Sequence, residues 1–219
     1  MKYDVRYKPS FATVFVTLQP GETLIAEAGA MASMDGNLTI ETQFSGGFVS
    51  ALLKAFLGGE SMFINTFSNH SNKPQEVVLT QSTIGDITRI ELNNSELCLQ
   101  PGAYMAHAGN VNLGVHWAGF SSWLAGEGLF KLKVSGNGIV FIGAYGGLSK
   151  HHVKNDYIVD TGHLVAYDPS LKMNIKMSGG LLGSITSGEG LVNRITGNGE
   201  IYLQSRSVDG LVSFLRPKV

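Results

Sequence analysis

A short pattern runs through this chain three times. Leu18-Gln19-Pro20-Gly21 returns as Leu99-Gln100-Pro101-Gly102 and, altered, as Val159-Asp160-Thr161-Gly162. A second mark follows each: Gly59-Glu60-Ser61-Met62-Phe63, then Gly126-Glu127-Gly128-Leu129-Phe130, then Gly188-Glu189-Gly190-Leu191-Val192. Self-similarity of this kind constrains architecture before any single residue is interpreted, because each copy must build the same supersecondary unit. A third mark, Gly136-Asn137-Gly138 and Gly197-Asn198-Gly199, has Asn72-Lys73-Pro74 at the matching place of the first copy. It reads as a tight hairpin turn, since Gly and Asn tolerate positive φ. The chain divides on this basis into residues 1–82, 83–146 and 147–219, with extra chain in the first copy around Met31 to Leu57. Units this small bury too little apolar surface to stand alone, so the three are expected to share interfaces.

The segments between the marks read as strands. Val14–Leu18, Leu38–Thr42, Met62–Phe67, Glu76–Thr80 and Ile87–Leu92 are short, β-branched or aromatic, and mostly alternating. Phe130-Lys131-Leu132-Lys133-Val134 alternates apolar residues with Lys and continues past the Gly-Asn-Gly turn as Ile139–Gly143, predicting a hairpin with one wet face. Leu191–Thr196 and Glu200–Ser205 predict a similar hairpin around Asn198. The fold class is therefore all-β. Three stretches break the rhythm. Phe48 to Leu57 carries good helix formers, is apolar nearly all round, and lies between Gly46-Gly47 and Gly58-Gly59, which predicts a short covered helix. Phe120–Ala125 and Ser178–Gly183 occupy the same place in the later copies. The tail Leu211–Leu215, before Arg216 and Pro217, reads as a further apolar patch with a turn of helix stopped by the proline.

Composition bounds the class. A chain of 219 residues, 43% hydrophobic and with net charge −1, has the apolar content to fold compactly. One cysteine, Cys98, allows no intrachain disulfide, and Met1-Lys2-Tyr3-Asp4 lacks the basic-then-apolar run of a secretory signal, so a cytoplasmic location is expected. The longest apolar stretch, Phe48 to Leu57, contains Lys54 and falls short of the roughly 20 residues a spanning helix needs.

Leu18 to Met34 (LQPGETLIAEAGAMASM), Glu41-Thr42 with Gly46-Gly47, Leu57 to Phe67 (LGGESMFINTF) and Thr196 to Ser207 (TGNGEIYLQSRS) together resemble the family typified by altered inheritance of mitochondria protein twenty-four and its bacterial relatives. The resemblance covers nearly the whole chain. Asn198 departs from it, standing where relatives often carry proline. What the resemblance implies is a fold similar to the trp RNA-binding attenuation protein, with three tandem small antiparallel β-sandwiches per chain. It further implies assembly as a homotrimer, and a mitochondrial branch associated with inner-membrane organisation. No reaction comes with it.

The candidate chemistry is sparse. Glu60, Glu127 and Glu189 each follow a glycine at the same turn, and three converging carboxylates suit a cation. The competing reading is that each accepts backbone N–H bonds and holds its turn. His70, His107, His116, His151, His152 and His163 show no metal-ligand spacing, and surface or partly satisfied roles are expected. Cys98 lies in an alternating strand with Leu97 and Leu99 pointing opposite to it, which suits packing rather than nucleophilic work. No Gly-x-Ser-x-Gly elbow occurs, and the Gly-Gly pairs do not continue into a phosphate loop. Nucleic-acid binding is disfavoured: 16 basic residues face 17 acidic ones, and only Lys131–Lys133 and Lys150–Lys154 concentrate positive charge. No cofactor is expected.

Better motivated is an apolar face formed by Phe48, Phe56, Leu57, Trp123, Leu181 and Leu182, covered by a neighbouring subunit, another protein or a membrane surface. The expected function is a non-enzymatic oligomeric scaffold or binding module. The alternative is a small-molecule or metal-dependent enzyme built on the repeated glutamates.

Overall fold

The computed structural model describes residues 1–44, 63–100, 102–117, 130–177 and 191–216. Among them, fourteen strands follow one another: β1 (Lys2–Arg6), β2 (Thr13–Leu18), β3 (Thr23–Glu27), β4 (Met31–Met34), β5 (Leu38–Phe44), β6 (Phe63–Asn69), β7 (Gln75–Thr80), β8 (Ile87–Leu99), β9 (Tyr104–Trp117), β10 (Phe130–Gly143), β11 (Leu148–Asp160), β12 (Leu164–Tyr167), β13 (Lys172–Met177) and β14 (Leu191–Gln204). A 3-10 turn (Thr161–His163) precedes β12, and one helix, α1 (Val208–Leu215), follows β14. The protein is all-β, as its alternating sequence dictates. β2 shows why: Val14, Val16 and Leu18 are buried while Thr13, Phe15 and Thr17 are half-exposed, the two-residue period of a strand with one face on a core.

All the strand pairs are antiparallel. They form a four-stranded sheet in the order β1-β2-β7-β4, and a ten-stranded sheet in the order β11-β14-β12-β8-β10-β9-β3-β6-β5 with β13 also on β14. One local arrangement recurs. β10 lies between β8 and β9, β14 between β11 and the β12–β13 pair, β6 between β3 and β5, and β7 between β2 and β4. The strands that flank residues 45–62, 118–129 and 178–190 are paired to their ends, with Phe44 opposite Phe63, Trp117 opposite Phe130 and Met177 opposite Leu191. The helix expected over Phe48 to Leu57 lies outside the described residues.

The Gly-Asn-Gly marks are not hairpin turns, which corrects the sequence reading. β10 and β14 each run straight through theirs as single strands of 14 residues. Gly136 and Gly197 do take positive φ, 125° and 126°, but the chain bends there without reversing. The bend is shared by the neighbours: Asn94 in β8 and Asn155 in β11 also have positive φ, and Asn155 faces Gly197. Glycine is required because the neighbouring backbone comes close. A Cβ on Gly138 would lie 2.3 Å from the carbonyl oxygen of Ala108 on β9. The pattern therefore marks where long paired strands coil together, a use of glycine and β-bulges distinct from a turn. A register shift between Gly136 and Asn137 against β8 fits this.

Three hydrophobic clusters fill the interior. The first joins the four-stranded sheet to β3, β6 and β9 through Val14, Val16, Leu24, Phe67, Leu79 and Met105, and also takes Phe141 from β10. The second gathers Leu97, Leu99, Leu132, Val134, Val140 and Ile142, with Val165 and Ala166 from β12. The third holds Val153, Leu164, Tyr167, Ile195 and Ile201, with Cys98 from β8. Each cluster borrows side chains from sequence-distant strands. The one-wet-face expectation for β10 fails, because Val140, Phe141 and Ile142 are all fully buried with Phe141 in the first cluster and its neighbours in the second. β10 has a core on both sides.

Candidate functional site

The residues singled out from sequence, Glu60, Glu127 and Glu189 together with Phe48, Phe56, Leu57, Trp123, Leu181 and Leu182, all lie outside the described residues. Among the described residues, no three His, Cys, Asp or Glu side chains gather as a metal site would require.

What the structure does build is an open cleft of about 520 Å³, lined by Pro9, Asp86, Gly147, Leu148, Ser149, His163, Leu203, Gln204 and Ser205. It lies where the chain enters β8 and β11 side by side. Gly85 and Gly146 form a parallel bridge there, the Asp86 N–H donates to the Gly146 carbonyl at 2.8 Å, and the Ala144 N–H donates to the Asp86 carbonyl at 3.0 Å. Those bonds fix the backbone of Asp86, whose residue is 6% exposed. Its Oδ1 accepts the Ile87 N–H at 2.8 Å and lies 3.4 Å from the Lys8 Nζ, on a side chain that is itself nearly half in solvent. A buried carboxylate thus rests on one short backbone bond and one long ion pair.

The opposite wall is set by Gln204. Its side-chain amide donates to the Gly162 carbonyl and its Oε1 accepts the Tyr145 N–H, both at 2.8 Å. Its backbone carbonyl lies 2.7 Å from His163 Nδ1. A carbonyl only accepts, so Nδ1 carries a proton and donates it to Gln204. Ser205 Oγ accepts the Gly147 N–H at 2.8 Å, which leaves its hydroxyl hydrogen free to rotate. The cleft is therefore rich in acceptors, with Pro9, Leu148 and Leu203 supplying apolar wall. Sequence reasoning missed it because its members come from residues 9, 86, 147–149, 163 and 203–205, which share no motif.

Further polar groups lie in the interior. His107, 3% exposed on β9, has Nδ1 2.7 Å from the buried Tyr104 hydroxyl, and burial pushes its imidazole down to about 4. His107 is thus buried with Tyr104 as its partner, whereas His70 and His152 are exposed. Burial likewise raises the Tyr104 phenol and the Glu27 carboxyl from their usual values. Lys131, expected on the wet face of β10, is 0% exposed and its Nζ donates to Gln100 Oε1 beside the Leu99-Gln100 mark. Cys98 is fully buried opposite Leu97 and Leu99, and burial pushes its thiol up to about 12, which makes it a packing residue without nucleophilic character. On the surface, the basic run from Lys150 is partly neutralised across β11–β14, where Lys150 and His152 both pair with Glu200, at 2.7 and 3.1 Å. Lys133 pairs with Glu96 at 3.0 Å.

Comparison with known proteins agrees with this architecture. A curated protein of Streptococcus pyogenes serotype M6, the uncharacterized protein M6_Spy0233, is 27% identical over 225 residues, covering 99% of this chain and 90% of that protein. The crystal structure of protein SPYM3_0169 from Streptococcus pyogenes superposes with a TM-score of 0.77 at 28% identity, covering 98% of this chain and 97% of that one. The family profile described as Mitochondrial biogenesis AIM24 matches residues 3–206, and with that coverage the chain belongs to the AIM24 family.

Proposed function

We propose that this protein is a non-enzymatic scaffold or binding module that works as a cyclic homo-oligomer, a trimer, in the cytoplasm. In this reading each chain contributes three related units, residues 1–82, 83–146 and 147–219. The three hydrophobic clusters and the recurrent placing of a strand between two antiparallel neighbours support it. So does the sequence position of the apolar segments holding Phe48, Trp123 and Leu181, each between the ends of paired strands.

The observation that carries the oligomer is α1. Ser207 caps it, its Oγ accepting the Gly210 N–H at 3.1 Å, yet no residue of the helix is buried. Val208, Leu211, Val212 and Leu215 fall at helical spacing on one side, all exposed, and Phe214 is 82% exposed. An isolated eight-residue helix is marginal in water, and among the described residues nothing buries its apolar side. A second copy is the economical cover, because Tyr7, Phe11 and Ile84 are exposed on the same molecule and head-to-tail contact between two such patches closes a ring.

The test is solution mass by light scattering for the wild type and for the double variant Phe214→Ser, Leu215→Ser. A trimeric wild type and a smaller, still folded variant are expected. A monomeric wild type, or a variant of unchanged mass, overturns the reading, as does a helix that floats with anionic liposomes while the protein stays monomeric.

A further inference from the structure

The cleft between Asp86 and His163 presents a carboxylate whose counter-ion, Lys8, stands at 3.4 Å. A carboxylate held at 6% exposure is expensive to desolvate and in proteins is ordinarily surrounded by several hydrogen-bond donors or a close counter-ion. Asp86 has one backbone N–H at 2.8 Å, and Lys8 at 3.4 Å reaches it from the solvent side. Its backbone is bonded on both sides to residues 144–146, which holds the carboxylate at the lining of the open cleft. The other polar atoms of the lining are acceptors or rotatable hydroxyls: His163, whose Nδ1 is committed to Gln204, and Ser149 and Ser205. Pro9, Leu148 and Leu203 form the apolar part of the wall, and no lysine or arginine is among the described lining residues. A volume of about 520 Å³ suits a small organic molecule.

We propose that this cleft binds a small organic ammonium, a primary amine on a compact apolar body, with the ammonium on the Asp86 carboxylate and the body against Leu148 and Leu203. A primary ammonium carries three donors and one positive charge, which is what an under-donated buried carboxylate among acceptors lacks. Neutral ligands would leave the charge uncompensated, and anions would be repelled by it. Lys8 acts as an internal stand-in, a tethered ammonium at long range that the ligand displaces into solvent. The site is independent of the oligomeric reading: it concerns one chain's own side chains, and solution mass and ligand titration fail separately.

The probe is benzylamine, with benzyl alcohol and benzoate as neutral and anionic shape controls, titrated into the full chain near neutral pH and followed by amide chemical shifts. Benzylamine is expected to shift Gly147, Ser149, His163 and Ser205 saturably, and the two controls are not. Asp86→Asn is expected to weaken binding about tenfold or more, the loss of one charge-assisted contact. Lys8→Ala is expected to tighten it a few-fold by removing the competitor, an effect no purely structural role of Asp86 produces. Since Asp86→Asn alters a buried group, its fold is checked by an unchanged amide spectrum away from the cleft, and Lys8→Ala, on an exposed side chain, reports even if that variant fails to fold. Absence of shifts up to roughly 10 mM, equal response to benzyl alcohol, or weaker binding in Lys8→Ala overturns the proposal.

Discussion

His107 is a buried histidine whose protonation departs from that of an exposed one. Its neighbours on β9 and the facing β3 leave it 3% exposed, and Tyr104 is its hydrogen-bond partner. The tyrosine hydroxyl and Nδ1 lie 2.7 Å apart, and burial disfavours the charged form of the ring. The unfolded chain takes up a proton on this residue near its ordinary value of 6.5, whereas the folded protein does so only near about 4. More protons are bound by the unfolded state across that interval, so the contribution is complete above 6.5 and is lost as the pH falls towards 4. Its size is on the order of 3 kcal/mol. Urea melts at pH 7 and pH 4.5 measure it, and His107→Gln is expected to show a flatter acid limb than the wild type. An identical acid limb in both would remove His107 from the account.

Among the elements, β10 and β14 carry the most structure per residue because both are central strands that bend without breaking. The bend depends on small residues at crossing points. At Gly138 the Ala108 carbonyl oxygen occupies the space a side chain would need, 2.3 Å from an ideal Cβ, and backbone cannot swing aside as a flexible side chain does. Gly138→Ala is therefore expected to cost about 2 to 4 kcal/mol, towards the high end of single substitutions. Chemical denaturation monitored by tryptophan fluorescence reads the loss, and a midpoint within error of wild type would show that the crossing relaxes freely. α1 makes the opposite case: its helical spacing is legible in Val208, Leu211, Val212 and Leu215, yet none of these is buried among the described residues.

At the scale of the molecule, the three clusters are coupled through shared strands. β10 places Phe141 in the first cluster and Val140 and Ile142 in the second, and β8 places Leu97 and Leu99 in the second and Cys98 in the third. Phe141 also meets the Tyr3 ring edge-on at 5.5 Å, tying β1 to the ten-stranded sheet. Phe141→Ala is expected to lower stability by about 3 to 5 kcal/mol, the cost of an emptied aromatic site in a packed core. Because the strand is common to two clusters, the expectation is one cooperative transition at a lower midpoint. Separate melting of the first and second clusters, seen as two transitions by calorimetry, would contradict that coupling.

Much of this was open to reading from the order of residues. The alternation in β2, the tail helix ending before Pro217, the packing role of Cys98 and the all-β class follow from local periodicity and turn chemistry, which depend on near neighbours in the chain. The family pattern was equally legible, since its marks are contiguous stretches. Periodicity could not say whether Gly-Asn-Gly reverses a strand or bends it, because the same positive φ serves both, and only the partner strand at Ala108 decides. Nor could it place Lys131 inside, since its alternation with Leu132 and Val134 reads as a wet face until Gln100 is brought beside it. The cleft lies furthest from the sequence: Asp86 and His163 face one cleft only because the chain crosses itself at Gly85 and Gly146, and that meeting of distant segments is made by tertiary packing.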